Sequence, residues 1–116
     1  MAIDSGDGWT RERIHAKLMQ RHPVLALIRV DMSTDQFGHF VVIRGFVDRG
    51  ATVVLNDSFP RDDRETWQMP SDERRAVSEG RRADWNRFDA SWASAVDQGK
   101  DPLAPNGHVR WAMAAQ

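Results

Sequence analysis

The segment from Gly38 to Ser58, reading GHFVVIRGFVDRGATVVLNDS, constrains the fold of this 116-residue chain more than any other. Two runs rich in β-branched and aromatic residues, Phe40 to Val47 and Thr52 to Leu55, flank the short polar turn Asp48-Arg49-Gly50. That is the pattern of a β-hairpin. A hairpin returns the end of its second strand beside the start of its first. His39 and the pair Asn56-Asp57 are therefore expected to meet, although 18 positions separate His39 from Asp57. A carboxylate beside an imidazole fixes the tautomer and orientation of the ring, which a general base requires. Each residue also has a plainer reading. On spacing alone His39 is a hydrogen-bonded residue at a strand edge, and Asp57 is an Asx-turn residue that ends a strand. Asn56 could do the same work as Asp57 or take its place as the orienting partner.

The rest of the chain reads as an α+β domain with a twisted, mainly antiparallel sheet and flanking helices. Met1 to Trp9, rich in Asp, Gly and Ser, is a loose lead-in, and residues 10–116 form one domain. Thr10 caps a short helix from about Arg11 to Arg21 whose apolar face is carried by Ile14 and Leu18, and His22-Pro23 stops it. Val24 to Val30 is a nearly continuous apolar run that suits a strand buried on both faces. After Pro60 a charged stretch from Arg61 to Arg82 is expected to wrap the surface as loop and short helix. The pairs Arg74-Arg75 and Arg81-Arg82 within it read as a solvated helix face. With Arg61, Arg64 and Arg87 they could instead make a local anion or partner patch. Trp85, Phe88, Trp92, Ala95 and Val96 recur at spacings of three and four, so a helix over Trp85 to Val96 packs its aromatic face on the sheet. Gly99, Pro102, Pro105 and Gly107 break it, and Val109 to Ala114 supplies a last strand. The tryptophans Trp67, Trp85, Trp92 and Trp111 are expected to pack in the core or at its rim.

Composition narrows the function classes. A formal net charge of −1 draws the chain neither to nucleic acid nor to an anionic membrane. It has 0 cysteines, which removes disulfides, thiolate metal ligands and a thiol nucleophile together. His15, His22 and His108 show no metal-like spacing with a carboxylate, so neither a metal nor any other cofactor is expected. No apolar run approaches the roughly 20 residues of a membrane span, and the first residues do not read as a signal peptide. A cytoplasmic location is the expectation.

Gly-His-Phe-Val-Val-Ile, a glycine-containing turn and a β-branched run ending in Asn-Asp resemble the second half of a papain-like family. These are the cysteine peptidases that cleave double-glycine leaders from bacteriocins, with their bacterial relatives. The resemblance extends upstream to Ile14–Val30 and downstream to Phe88-Asp89-Ala90-Ser91-Trp92, similar to a Phe-x-x-x-Trp helix of the family. His108-Val109-Arg110-Trp111-Ala112-Met113 is similar to its last strand. It implies that His39 stands at the general base and Asp57 at the orienting acid, with Asp57-Ser58 where the family usually has Asp-Pro. The family's nucleophile cysteine and its upstream oxyanion-hole glutamine, both in a helical lobe, have no counterpart here. Ser5-Gly6 is a weak echo of the Cys-Gly that opens the nucleophile helix, but Ser5 precedes His39 by only 34 residues, too few for that lobe. Two functions follow from the resemblance. The first is a degenerate domain that binds a peptide or protein partner. The second is the half of a split or longer peptidase that supplies His39 and Asp57. A sheet face without its helical lobe would be covered by self-association or by a partner chain.

Overall fold

The computed structural model describes residues 2–29, 32, 38–57, 80–94 and 107–116. Six strands and two α-helices occupy them, in the order β1 (Ile3–Gly6), α1 (Arg11–Met19), β2 (Val24–Arg29), β3 (Gly38–Val47), β4 (Thr52–Asn56), β5 (Arg81–Asp84), α2 (Trp85–Ala93) and β6 (Ala112–Ala115). The strands form one sheet in the order β1-β6-β2-β3-β4-β5, and neighbours pair antiparallel. The α+β class expected from the sequence is the one observed. No helix among the described residues is long and apolar enough to cross a membrane.

Alternation along each strand sorts the side chains. Val24, Ala26 and Ile28 of β2, Val41 and Ile43 of β3, Val53 and Leu55 of β4, Ala83 of β5, and Ala112 and Ala114 of β6 are buried together with Ile14 of α1 and Phe88 and Trp92 of α2. Both helices therefore lie on one face of the sheet. Burying each large side chain of this set stabilises the fold by about 1.5–3 kcal/mol. The opposite face carries Leu25, Phe40, Val42 and Met113, and Phe40 is 51 % exposed.

Local chemistry explains the helix ends. The Thr10 hydroxyl accepts from the Arg13 amide at 3.1 Å, satisfying a donor that an isolated helix would leave to water. At the other end Arg21 takes a left-handed φ of 62°, its amide donates to the Leu18 carbonyl, and the His22 amide donates to the Lys17 carbonyl. This is the closing motif usually made by glycine, and Pro23 follows it. In α2 the Asp84 carboxylate accepts from the Arg87 amide at 3.1 Å. Phe88 and Trp92, four apart, reach the core with ring centroids 5.8 Å apart.

Four sequence expectations need correction. Residues 3–6, read as loose lead-in, are the edge strand β1, because β6 offers them a ladder from Ile3↔Ala115 to Gly6↔Ala112. Trp9, assigned to the same lead-in, is a core residue only 1 % exposed, fixed by hydrogen bonds from the Gly8 and Trp9 amides to Val109 and Arg110. The last strand begins at Ala112 rather than Val109, since Arg110 has a left-handed φ of 49°. Arg81 and Arg82 sit on strand β5 and not on a helix. Val30, Arg61, Arg64, Trp67, Arg74, Arg75, Ala95 and Val96 lie outside the described residues.

Candidate active site

The sheet places His39 by register. β3 pairs with β2 so that His39 stands opposite Ile28, and it alternates inward with Val41 and Ile43. On the other side the β3–β4 ladder sets Val42 against Asn56 and Ile43 against Leu55, so Asp57 continues the inward row of Val53 and Leu55. Residues one diagonal step apart on a shared face lie within reach of long side chains. The His39 Nε2 and Asp57 Oδ1 are 2.5 Å apart.

A bulge makes this contact possible. The register shifts between Ile43 and Gly45, leaving Arg44 as the extra residue of β3. Below the shift Phe46 stands opposite Val53, and above it Ile43 stands opposite Leu55. Since side chains alternate with a period of two, only an inserted residue lets Phe46 and the His39–Val41–Ile43 row share the core face with an unbroken β4. Gly45 inside a strand, and apolar residues spaced by three between Ile43 and Phe46, are the sequence signals of it.

Asp57 is held from a third strand. Arg81, opposite Leu55 in the β4–β5 ladder, points inward and its Nη1 lies 2.7 Å from Asp57 Oδ2. The Asp57 side chain is fully buried, His39 is 8 % exposed and the Arg81 side chain 15 %. A buried carboxylate needs a counter-charge and hydrogen-bond donors, and here one oxygen faces the imidazole and the other the guanidinium. Sequence reasoning missed Arg81, taking it for a solvated helix position. The available signal was the alternation of Arg81 and Ala83 with Arg82 and Asp84. Asn56, the other candidate for orienting His39, turns elsewhere: its Oδ1 accepts from the Gly80 amide at 3.1 Å and ties the start of β5 to the end of β4.

The geometry sets the proton inventory. A carboxylate only accepts, so His39 donates from Nε2, and in the neutral ring Nδ1 is then the basic atom. A base of this kind needs something to deprotonate. The chain has 0 cysteines. Among the described residues, Thr10 and Thr52 bond to Arg13 and Asp48, and Ser91 and Ser94 bond to the Phe88 and Ala90 carbonyls. Ser5 lies on β1, three strand spacings from β3, or about 14 Å. It also points to the face opposite His39. No described hydroxyl stands where His39 could activate it. Among the described residues no cluster of histidines and carboxylates could hold a metal ion.

The other histidines have contacts away from Asp57. His22 Nδ1 faces the Ala115 carbonyl at 3.1 Å and His108 Nδ1 faces Asp7 at 3.2 Å. His15 rests against Phe46 with ring centroids 6.4 Å apart.

No curated protein and no solved structure matches the chain. A family model described as the Peptidase_C39 like family matches residues 3–100, from the first residue of β1 past the end of α2 and across His39, Asp57 and Arg81. With that match over most of its length, and lacking the cysteine nucleophile, the chain belongs to the Peptidase_C39-like family.

Proposed function

We propose that this chain is a peptidase-like domain that does not hydrolyse peptides by itself and uses its sheet to bind a peptide or protein partner. The observation that carries the reading is a buried His39–Asp57–Arg81 assembly in a chain with 0 cysteines. Acyl transfer needs a nucleophile and oxyanion donors as well as an oriented base. Binding an extended peptide needs only strand edges and side-chain pockets. The described sheet ends in the short edge strands β1 and β5, and its face opposite the two helices presents Phe40 beside Trp111, ring centroids 5.9 Å apart.

A second reading is favoured by the His39–Asp57 contact itself: the chain supplies the base and orienting acid to a cysteine on another chain or in another part of a longer protein. One experiment separates the two. Purified protein is incubated with double-glycine leader peptides and general thiol-peptidase substrates, alongside His39→Ala. No turnover by either protein is the expected result, together with partner binding that survives His39→Ala and weakens in Phe40→Ser. Turnover by the isolated chain that disappears in His39→Ala overturns the non-catalytic reading. Turnover that appears only when a cysteine-bearing polypeptide is added, and depends on His39, establishes the split enzyme.

A further inference from the structure

At the far end of β3, roughly 26 Å of strand away from His39, the hairpin turn and helix α1 enclose a cleft of about 430 Å³ lined by Arg11, Glu12, His15, Phe46, Arg49 and Gly50. That volume falls within the range of small-molecule sites. Its chemistry is uneven. Phe46 and the His15 imidazole form an aromatic wall, tilted 53° to one another. Arg11 crosses one side, with its guanidinium 5.4 Å from the Trp85 ring centroid and donating to the Gly50 carbonyl at 3.4 Å. Arg49 stands on the other. Against these cations the one lining carboxylate among the described residues is Glu12, 4.0 Å from Arg11 Nε with its side chain 79 % exposed.

Arg49 is the informative residue. Asp48, Arg49 and Gly50 all have left-handed backbones, with φ of 53°, 57° and 89°. Glycine and asparagine adopt that conformation readily, whereas an arginine does so under strain. The Asp48 side chain has a local use, since its carboxylate accepts from Thr52 at 3.1 Å. The Arg49 side chain makes no hydrogen bond or ion pair among the described residues, and it is exposed. Among the described residues no hydrogen bond or ion pair of this side chain offsets the strain at this position. Strain of this kind points outward, to something the side chain meets that is not part of the chain.

We propose that this cleft binds a planar organic anion, with its flat body against Phe46 and His15 and its carboxylate between Arg49 and Arg11. A guanidinium presents a planar fork of donors that matches a carboxylate bidentately, and the aromatic wall supplies the apolar contact. The site is separate from His39 and Asp57.

The test is a titration of ¹⁵N-labelled protein with 2-naphthoate, and with 2-naphthylmethylammonium as a cation of similar shape. Naphthoate should shift the Phe46 and Gly50 amides and the His15 imidazole in a saturable way, and the ammonium should not. Arg49→Gln should weaken naphthoate binding by about fivefold or more. Arg49→Gly, which removes the side chain and relieves the backbone, should weaken it equally while folding at least as well. Arg82→Gln, on the face opposite the two helices, should leave it unchanged. Equal binding of the ammonium, or full naphthoate affinity in both Arg49 variants, would overturn the proposal.

Discussion

The two ends of β3 treat charge in opposite ways. At its start His39, Asp57 and Arg81 come from three different strands, are buried, and satisfy one another at 2.5 and 2.7 Å. At its finish Arg49 is exposed on a left-handed backbone with no partner among the described residues. The first arrangement is specified by the sheet: register and alternation leave those three side chains nowhere else to go. The second is specified by the turn, and packing does not demand it. A polar group that the core requires and one that the core merely tolerates leave different signatures under mutation.

Deleting Arg44 attacks the first arrangement most severely. Without the bulge the His39, Val41 and Ile43 row turns to the face opposite the helices and Phe40 and Val42 turn inward. The expected cost is roughly 4–8 kcal/mol from the broken buried pair and the mismatched core. That approaches the whole stability of a domain this size, roughly 5–15 kcal/mol. Loss of the cooperative urea transition, or a transition with a much lower midpoint, is the readout. A variant that unfolds like the parent would show that the bulge does not set the register.

Arg81→Met is the next largest. It leaves the Asp57 carboxylate buried without its counter-charge and should destabilise by about 3–5 kcal/mol. Adding Asp57→Asn should recover part of the loss, because the uncompensated charge is gone, so the double variant should be more stable than Arg81→Met alone. Urea denaturation of the two variants measures this coupling.

Arg49→Gly should act in the opposite direction. Relief of the left-handed strain, about 1–2 kcal/mol, exceeds the extra flexibility glycine gives the unfolded chain, for a net gain of about 0.5–1 kcal/mol. A loss of stability would mean that Arg49 is anchored by the fold and that the contrast between the two ends is false.

The smallest effect lies at the β1 edge. Asp4 accepts a hydrogen bond from Arg13 Nη2 at 2.6 Å and lies 3.6 Å from Lys17 Nζ. The hydrogen bond from Arg13, followed by the charges of Arg13 and Lys17, holds the Asp4 carboxyl below its ordinary value of 3.8. A carboxyl depressed in the folded state contributes stability above its unfolded value and loses it as pH falls through the folded value. Hydrogen exchange of the paired β1 amides should therefore quicken, relative to the strands at the centre, as pH drops from about 5 to about 2. Asp4→Asn should abolish that part of the pH dependence.

Contacts between neighbours in sequence were legible in the residues; contacts that depend on strand order were less so. The Thr10 cap, the Asp48–Gly50 turn and the Phe88–Trp92 face follow from local patterns. His39 and Asp57 could be paired because a hairpin is itself local. Arg81 escaped notice because 24 residues separate it from Asp57 and its alternation spans only four positions. β1 escaped for a related reason: Ile3-Asp4-Ser5-Gly6 has little strand propensity, and its partner Ala112–Ala115 lies at the other end of the sequence. The bulge was hidden by a continuous run of strand-forming residues, in which Gly45 and the three-residue spacing from Ile43 to Phe46 were the local signs.

The position of β6 between β1 and β2 has a consequence for the order in which the molecule assembles. Residues 3–6 are made before the other described strands, yet they have no neighbour in the described sheet until residues 112–115 arrive. The hairpin of β3 and β4 closes over a few residues and is able to form early, whereas the β1–β6 pairing closes a loop of nearly the whole sequence. The nascent polypeptide therefore emerges with an edge it cannot yet cover, and truncation before Ala112 would strand β1 and open the flank of β2 at once.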